Sequence, residues 1–296
     1  MRNFQYFREM AMSRIFLGSA MCSVVAILLI MMFLFVGCLP AISEIGAANF
    51  LFGENWTPMN TPPSFGILPM ILGSVYITVG AIVIGVPIGI FTAVYLAHLC
   101  PPNMYALLKP VVNLLAGIPS VVYGFFGMRL IVPIVRDISQ ILTGGGTGAS
   151  ILAASLLLGI MILPTVISIS ESAIRAVPVE YYEGSLALGA SQTRSLFFVV
   201  VPAAKSGIMA SVILGIGRAV GETMAVVMVA GNQAVIPTSL FRGARTLTSN
   251  IVLEMGYAAE LHREALIATA VVLFAFILLV NIVFTRLVRR RERREK

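Results

Sequence analysis

Long apolar runs, each closed by a short polar stretch, recur along the chain. Six of them hold about 20 mainly apolar residues, the length a helix needs to cross a bilayer: 15–39, 68–96, 107–135, 151–169, 206–230 and 265–288. The period-two alternation of a membrane barrel is absent, which leaves helices as the spanning element. The pattern predicts an all-α polytopic membrane protein with six transmembrane helices. Its expected parts are an amino-terminal segment 1–14, a membrane domain 15–288 and a basic tail 289–296. Between the fourth and fifth runs, residues 170–205 alternate apolar and charged positions at helical spacing. They predict short helices outside the bilayer.

Breakers interrupt the runs. "GVPIG" at 85–89 and "GIPSVVYG" at 117–124 each place a proline within a span. Each is either a packed kink or a break beside a solvated path. "TGGGTG" at 143–148 lacks the Lys-Ser/Thr that follows a phosphate-binding loop, and reads as an external turn. Trp56, in the polar stretch 40–66, is either an interfacial anchor or a plain loop aromatic.

Composition agrees with the pattern. Only 11% of residues are charged and 58% are hydrophobic, where a soluble domain carries roughly a quarter charged. The first run is too long for a secretory signal core, has no clear A-x-A site after it, and reads as a retained helix. Cys22, Cys38 and Cys100 are scattered and His98 and His262 lie far apart, so neither a disulfide framework nor a metal site is expected.

The net charge of +7 is unevenly placed. With the amino terminus inside, cytoplasmic segments hold Arg2, Arg8, Arg14, Lys109, Arg175, Arg194, Lys205 and the seven basic residues from Arg286 onward. External segments hold Arg136, Arg242, Arg245 and Arg263. That asymmetry predicts both termini in the cytoplasm, with the tail against anionic lipid and no nucleic acid as partner.

Arg218 and Glu222 fall inside the fifth run, where a charge costs about 2.5–3.5 kcal/mol on insertion scales. Four residues apart on one helix, they would share a face. Either they lock two helices as an ion pair, or they line a passage where the guanidinium binds an oxyanion through paired hydrogen bonds. Thr223 would then offer a hydroxyl, or simply pack.

"EGSLALGASQTRSLFFVVVPAAKSGI", 183–208, resembles the EAA coupling loop of bacterial ABC importer permeases. Glu183 and Gly189 match the family pattern; Gly184 and Ser185 stand where it has alanines, and Pro202 keeps its spacing from Gly189. Small residues let a helix seat closely against a partner, Gly189 can end that helix and turn the chain, and Leu186, Leu188, Leu196 and Phe197 are candidates for an apolar docking contact. Without a partner the stretch would be a helical hairpin only. The segments "GIPSVVYG", "GRAVGETMAV" and "TLTSNI" extend the likeness. They resemble the PstC branch of phosphate-specific ABC importer permeases.

The resemblance implies a permease of the bacterial inner membrane, without ATPase or other enzymatic activity. It implies pairing with the companion permease PstA, two PstB ATPase subunits that bind ATP and Mg, and the external phosphate-binding protein PstS. It also implies a path for the phosphate anion past Arg218, Glu222 and Thr223, with Ser120 and Tyr123 on the proline-broken third span. Ser120 would donate to an anion or bond its own helix. Thr246, Thr248, Ser249 and Asn250 form either an outer gate or a solvated loop, and Arg242 and Arg245 either meet the docked binding protein or are solvated. The competing readings are a permease for sulfate or molybdate, a membrane signalling scaffold without flux, and an ion-coupled secondary transporter.

Overall fold

A computed structural model describes residues 2–294. Four helices are long and apolar enough to span a membrane: residues Met12–Ile45 of α1 (Arg2–Ile45), α3 (Leu68–Val94) with its π-turn extension to Leu99, α7 (Ile151–Arg175), and residues Glu260–Val283 of α14 (Glu260–Arg294). Two bent pairs bring the number to six, if each pair is one crossing. The fold is therefore the expected helical one. Helix α1 runs through the boundary expected at 14, and α14 through that at 288. The side chains of the tail 289–296 lie outside the described residues.

The third expected span is not one helix. α4 (Pro102–Gly117) ends where Ile118 turns extended before Pro119, as a residue preceding proline tends to do. The chain resumes as α5 (Ser120–Phe126), a π turn Gly127–Ile131 and α6 (Val132–Thr143), bent by 100° from α4. Residues 143–148 form the turn from α6 to α7.

α7 is the central post. Ser150 caps its start by accepting from Ala153 N at 3.3 Å, and Leu157, Leu158, Met161 and Ile162 are buried. Glycines on α3 admit it closely: a Cβ at Gly85 would stand 2.6 Å from the Gly159 carbonyl oxygen and 2.8 Å from Ile162 Cγ1. Gly85→Val is therefore expected to overpack this contact and cost about 1–3 kcal/mol, read as a lower thermal midpoint of the purified protein.

A second core lies at one end of the bundle. α2 (Ala47–Phe52) and a hairpin of β1 (Trp56–Thr57) and β2 (Ser64–Phe65) occupy the stretch expected to be a polar loop. Phe50, Trp56, Phe65, Ile67 and Met70 pack there against Leu247 and Leu266. Trp56 is thus neither interfacial nor a loop aromatic; it is 5% exposed. α1 lies at the edge, packing mainly on α14.

Candidate functional site

The fifth apolar run breaks where its charges sit. α11 (Lys205–Gly221) stops, Glu222 is extended at φ −70° and ψ 131°, and α12 (Met224–Val229) begins after Thr223. Arg218 and Glu222 therefore do not share a continuous helix, and no ion pair joins them among the described residues. Instead Glu222 Oε1 accepts from Thr223 N at 3.1 Å and Ala225 N at 3.2 Å. The carboxylate caps the start of α12, where unpaired N–H groups favour negative charge. Thr223 Oγ1 donates to the Gly221 carbonyl at 3.2 Å.

Arg218, half-buried in the last turn of α11, donates from Nη1 to Thr165 Oγ1 on α7 at 3.4 Å. It has no carboxylate within 4 Å among the described residues, whereas Arg175 and Arg245 each hold one. Arg218 lies in the last turn of α11, next to the break, and Thr165 is the one hydrogen-bond partner of its guanidinium among the described residues.

The two broken spans meet. A Cβ at Gly124 of α5 would stand 2.6 Å from Met228 Sδ of α12, so the two short helices touch nearly backbone to backbone. Tyr123, buried, donates from its hydroxyl to the Leu115 carbonyl at 2.8 Å and ties α5 to α4 across the Pro119 bend. Ser120 opens α5, half-buried, with its hydroxyl unpaired among the described residues.

The polar group at 246–250 is buried, not solvated. Thr246 caps α13 (Leu247–Glu254), its Oγ1 accepting from Ser249 N at 3.1 Å and lying 2.8 Å from Ser249 Oγ and 3.0 Å from Thr248 Oγ1. Thr248 Oγ1 donates to the Glu222 carbonyl at 3.2 Å, so the α11–α12 break is fastened to α13. Asn250 Oδ1 accepts from Arg245 Nη1 at 3.0 Å. Arg245 is not a solvated loop charge: it also pairs with Glu254 Oε1 at 2.5 Å. Arg242 is exposed, and its Nη1 donates to Thr238 Oγ1 at 3.4 Å.

Two buried carboxylates were not anticipated. Glu254 Oε2 accepts from Trp56 Nε1 at 2.8 Å and lies 2.8 Å from His262 Nε2, joining hairpin, α13 and α14. At the opposite end of the bundle Glu171, 2% exposed, meets Lys109 at 2.6 Å, Arg175 at 2.9 Å and Tyr105 at 2.8 Å, joining α4 to α7. Only Glu171–Arg175 has the i,i+4 spacing of a helical pair; Arg245 and His262 lie 9 and 8 residues from Glu254, and Lys109, Tyr105 and Trp56 lie 62, 66 and 198 residues from their carboxylates.

Beside Arg175 the chain leaves the bundle. α8 (Val179–Ala187) buries none of its residues. Glu183 and Gly184 are exposed and Leu186 is half-buried, while Leu188 just beyond the helix is 91% exposed. Gly189, at φ +86°, ends the helix: Gly189 N donates to Leu186 O at 2.9 Å and Ala190 N to Ser185 O at 3.2 Å. This is the left-handed glycine stop the sequence suggested. Ser195 Oγ donates to Ser185 Oγ at 2.9 Å and holds α9 (Gln192–Ser195) against α8. Leu196 is a correction: it is fully buried with Ala93, Ile174 and Val200 and cannot dock anything. Phe197 and Phe198 stay exposed. Pro202 lies in α10 (Val201–Ala203), before the 70° bend into α11.

The molecule is thus a helical bundle with two broken spans in contact, an arginine beside one of the breaks and an exposed helix at one end. A sequence model of the binding-protein-dependent transport system inner membrane components matches residues 85–293. The chain belongs to this family. This inner membrane component is 40% identical over 251 residues to the probable ABC transporter permease protein YqgH of Bacillus subtilis, a match covering 83% of this chain and 80% of that protein. It is 35% identical over 263 residues to the phosphate transport system permease protein PstC of Mesorhizobium japonicum, covering 83% and 80%. It is 33% identical over 277 residues to PstC 2 of Mycobacterium tuberculosis, covering 87% and 85%. Among solved structures, a chain of the inward-facing MetNI methionine ABC transporter superposes with a TM-score of 0.60 at 20% identity, over 76% of this chain and 95% of that one. A chain of the bacterial alginate ABC transporter, solved with its alginate-bound periplasmic protein, gives 0.61 at 14% identity, over 91% and 94%. Those two likenesses concern the fold alone.

Proposed function

We propose that this chain is the PstC-type permease subunit of an ATP-driven phosphate importer. The observation that carries the reading is Arg218: a half-buried guanidinium in the last turn before the α11–α12 break, paired with no carboxylate among the described residues. A planar fork of donors suits a tetrahedral oxyanion. The PstC relatives point to phosphate among oxyanions.

In this reading PstA supplies the other half of the path and PstS delivers phosphate from outside. Two PstB subunits bind ATP and Mg on the cytoplasmic side, where both termini lie. α8, with Glu183, Gly184, Ser185 and Leu186, closed by Gly189, seats in an ATPase groove, and Pro202 shapes the return into α11. Closure of the ATPases moves α8; the α4–α5 and α11–α12 breaks shift together, and access alternates between the two faces. Thr246, Thr248, Ser249 and Asn250 hold the outer side of the Glu222 break and serve as the outer gate. Ser120 and Thr223 offer hydroxyls beside Arg218, while Tyr123 keeps the Pro119 bend. This chain does no covalent chemistry.

The decisive experiment reconstitutes the chain with PstA, PstB and PstS in vesicles and follows radiolabelled phosphate. Uptake dependent on both ATP and PstS is expected, with little transport of sulfate or molybdate. Preferential sulfate or molybdate flux would reassign the substrate. A correctly assembled complex with no flux would leave the signalling scaffold.

Leu188 gives a further check. Its side chain touches little of its own chain, so Leu188→Glu is expected to leave the permease folded while reducing PstB co-purification at least tenfold. Retained PstB at the wild-type ratio would place the docking surface elsewhere.

A further inference from the structure

A cavity of about 230 Å³ lies between α8 and the bundle, lined by Ala97, His98, Arg175, Val177, Pro178, Val179, Tyr182 and Val200. Nothing in the transport path uses it. Three of its features favour an anion. First, Glu171 faces both Lys109 and Arg175, so one carboxylate answers two cations and a positive charge remains in excess. Arg175 spends Nε on Glu171 and one Nη2 donor on the Leu96 carbonyl; three of its five N–H donors have no partner among the described residues. Second, the His98 and Tyr182 rings stack at 5.5 Å across the cavity wall, and neither the imidazole nor the Tyr182 hydroxyl has a partner within the described chain. Third, Pro178 and Val179 are the cap and first residue of α8, so the positive end of that helix borders the same space. Glu180, in the first turn, does not line the cavity.

We infer that this cavity binds a phosphate-bearing anion, and that the bound anion fastens the coupling helix to the bundle. Arg175 supplies the charge-assisted donors, with His98 and Tyr182 closing two sides. The volume equals roughly eight waters at about 30 Å³ each, room for a tetrahedral oxyanion with part of its hydration. Because the anion touches both α7 and α8, its occupancy resists the motion of α8 that drives transport. The inference rests on the proposed function for its side: inorganic phosphate in the cytoplasm, or the phosphate of a lipid headgroup, would reach the cavity from the α8 face.

Binding is measured separately from transport. The assembled complex carrying Arg218→Ala, placed in zwitterionic phosphatidylcholine nanodiscs, is titrated with radiolabelled inorganic phosphate by equilibrium dialysis. His98→Leu is then added; it leaves the Glu171 ion pairs in place, whereas Arg175→Ala would endanger folding. The expected result is a phosphate site weakened about tenfold or more by His98→Leu, as loss of a hydrogen bond to a charged ligand implies. The same loss on replacing phosphatidylcholine by phosphatidylglycerol, with His98 intact, identifies a lipid headgroup as the competing occupant and also supports the site. Phosphate binding identical with and without His98→Leu, in both lipids, overturns the inference. Uptake by the complex with Arg218 intact, in vesicles without phosphate on the α8 side, tests the transport reading independently. Adding phosphate on that side should then slow uptake in the wild type and less so in His98→Leu.

Discussion

Arg218→Ala is expected to lower ATP-driven phosphate uptake by about a hundredfold or more, with the amount of assembled complex unchanged. The magnitude follows from two hydrogen bonds to a charged ligand, each worth about 1.5–3 kcal/mol. Assembly should survive because the side chain makes one long contact, 3.4 Å to Thr165, and neutralises no buried carboxylate. Arg218→Lys keeps the charge but loses the planar fork, and an intermediate rate is expected. Initial rates in vesicles, normalised to complex measured by gel filtration, separate the outcomes. Normal transport per complex, or collapse of the complex itself, would return Arg218 to a structural role.

The second large effect is on stability. Glu254→Ala removes the acceptor shared by Arg245, Trp56 and His262 and leaves a guanidinium with 17% of its side chain exposed and no carboxylate. Breaking such a pair from one side costs about 3–5 kcal/mol. Thermal unfolding of the detergent-purified complex should shift down accordingly. Glu254→Gln, which can still accept from Trp56, should shift it less. An unchanged midpoint for Glu254→Ala would mean that hairpin, α13 and α14 are held together by the Phe50–Leu266 packing alone.

What the sequence made legible depended on distance along the chain. Runs of apolar residues located α1, α3, α7 and α14, because a spanning helix satisfies its own backbone and needs only length and composition. The glycine stop at Gly189 was legible for the same reason: it is a local conformational requirement. The bend at Pro119 was half legible, since proline marks a break but not its 100° angle. The break at Glu222 carries no proline, so the sequence predicts continuous helix there, with Arg218 and Glu222 on one face. A side chain capping the next helix outcompeted the pair. Trp56, Glu254 and His262 were opaque because each is polar or amphipathic by itself and becomes a core residue only through the others. Leu196 was misplaced because an apolar residue beside a docking helix looks the same whether it faces the partner or its own bundle.

The cap at Glu222 has one further geometric outcome. Were residues 221–224 to rewind into regular helix, α11 and α12 would become one rod, and the carboxylate would leave its backbone donors and come to lie one turn from the guanidinium. On the function proposed above, the chain then carries its own competitor for an incoming oxyanion, withheld as long as the rod stays snapped.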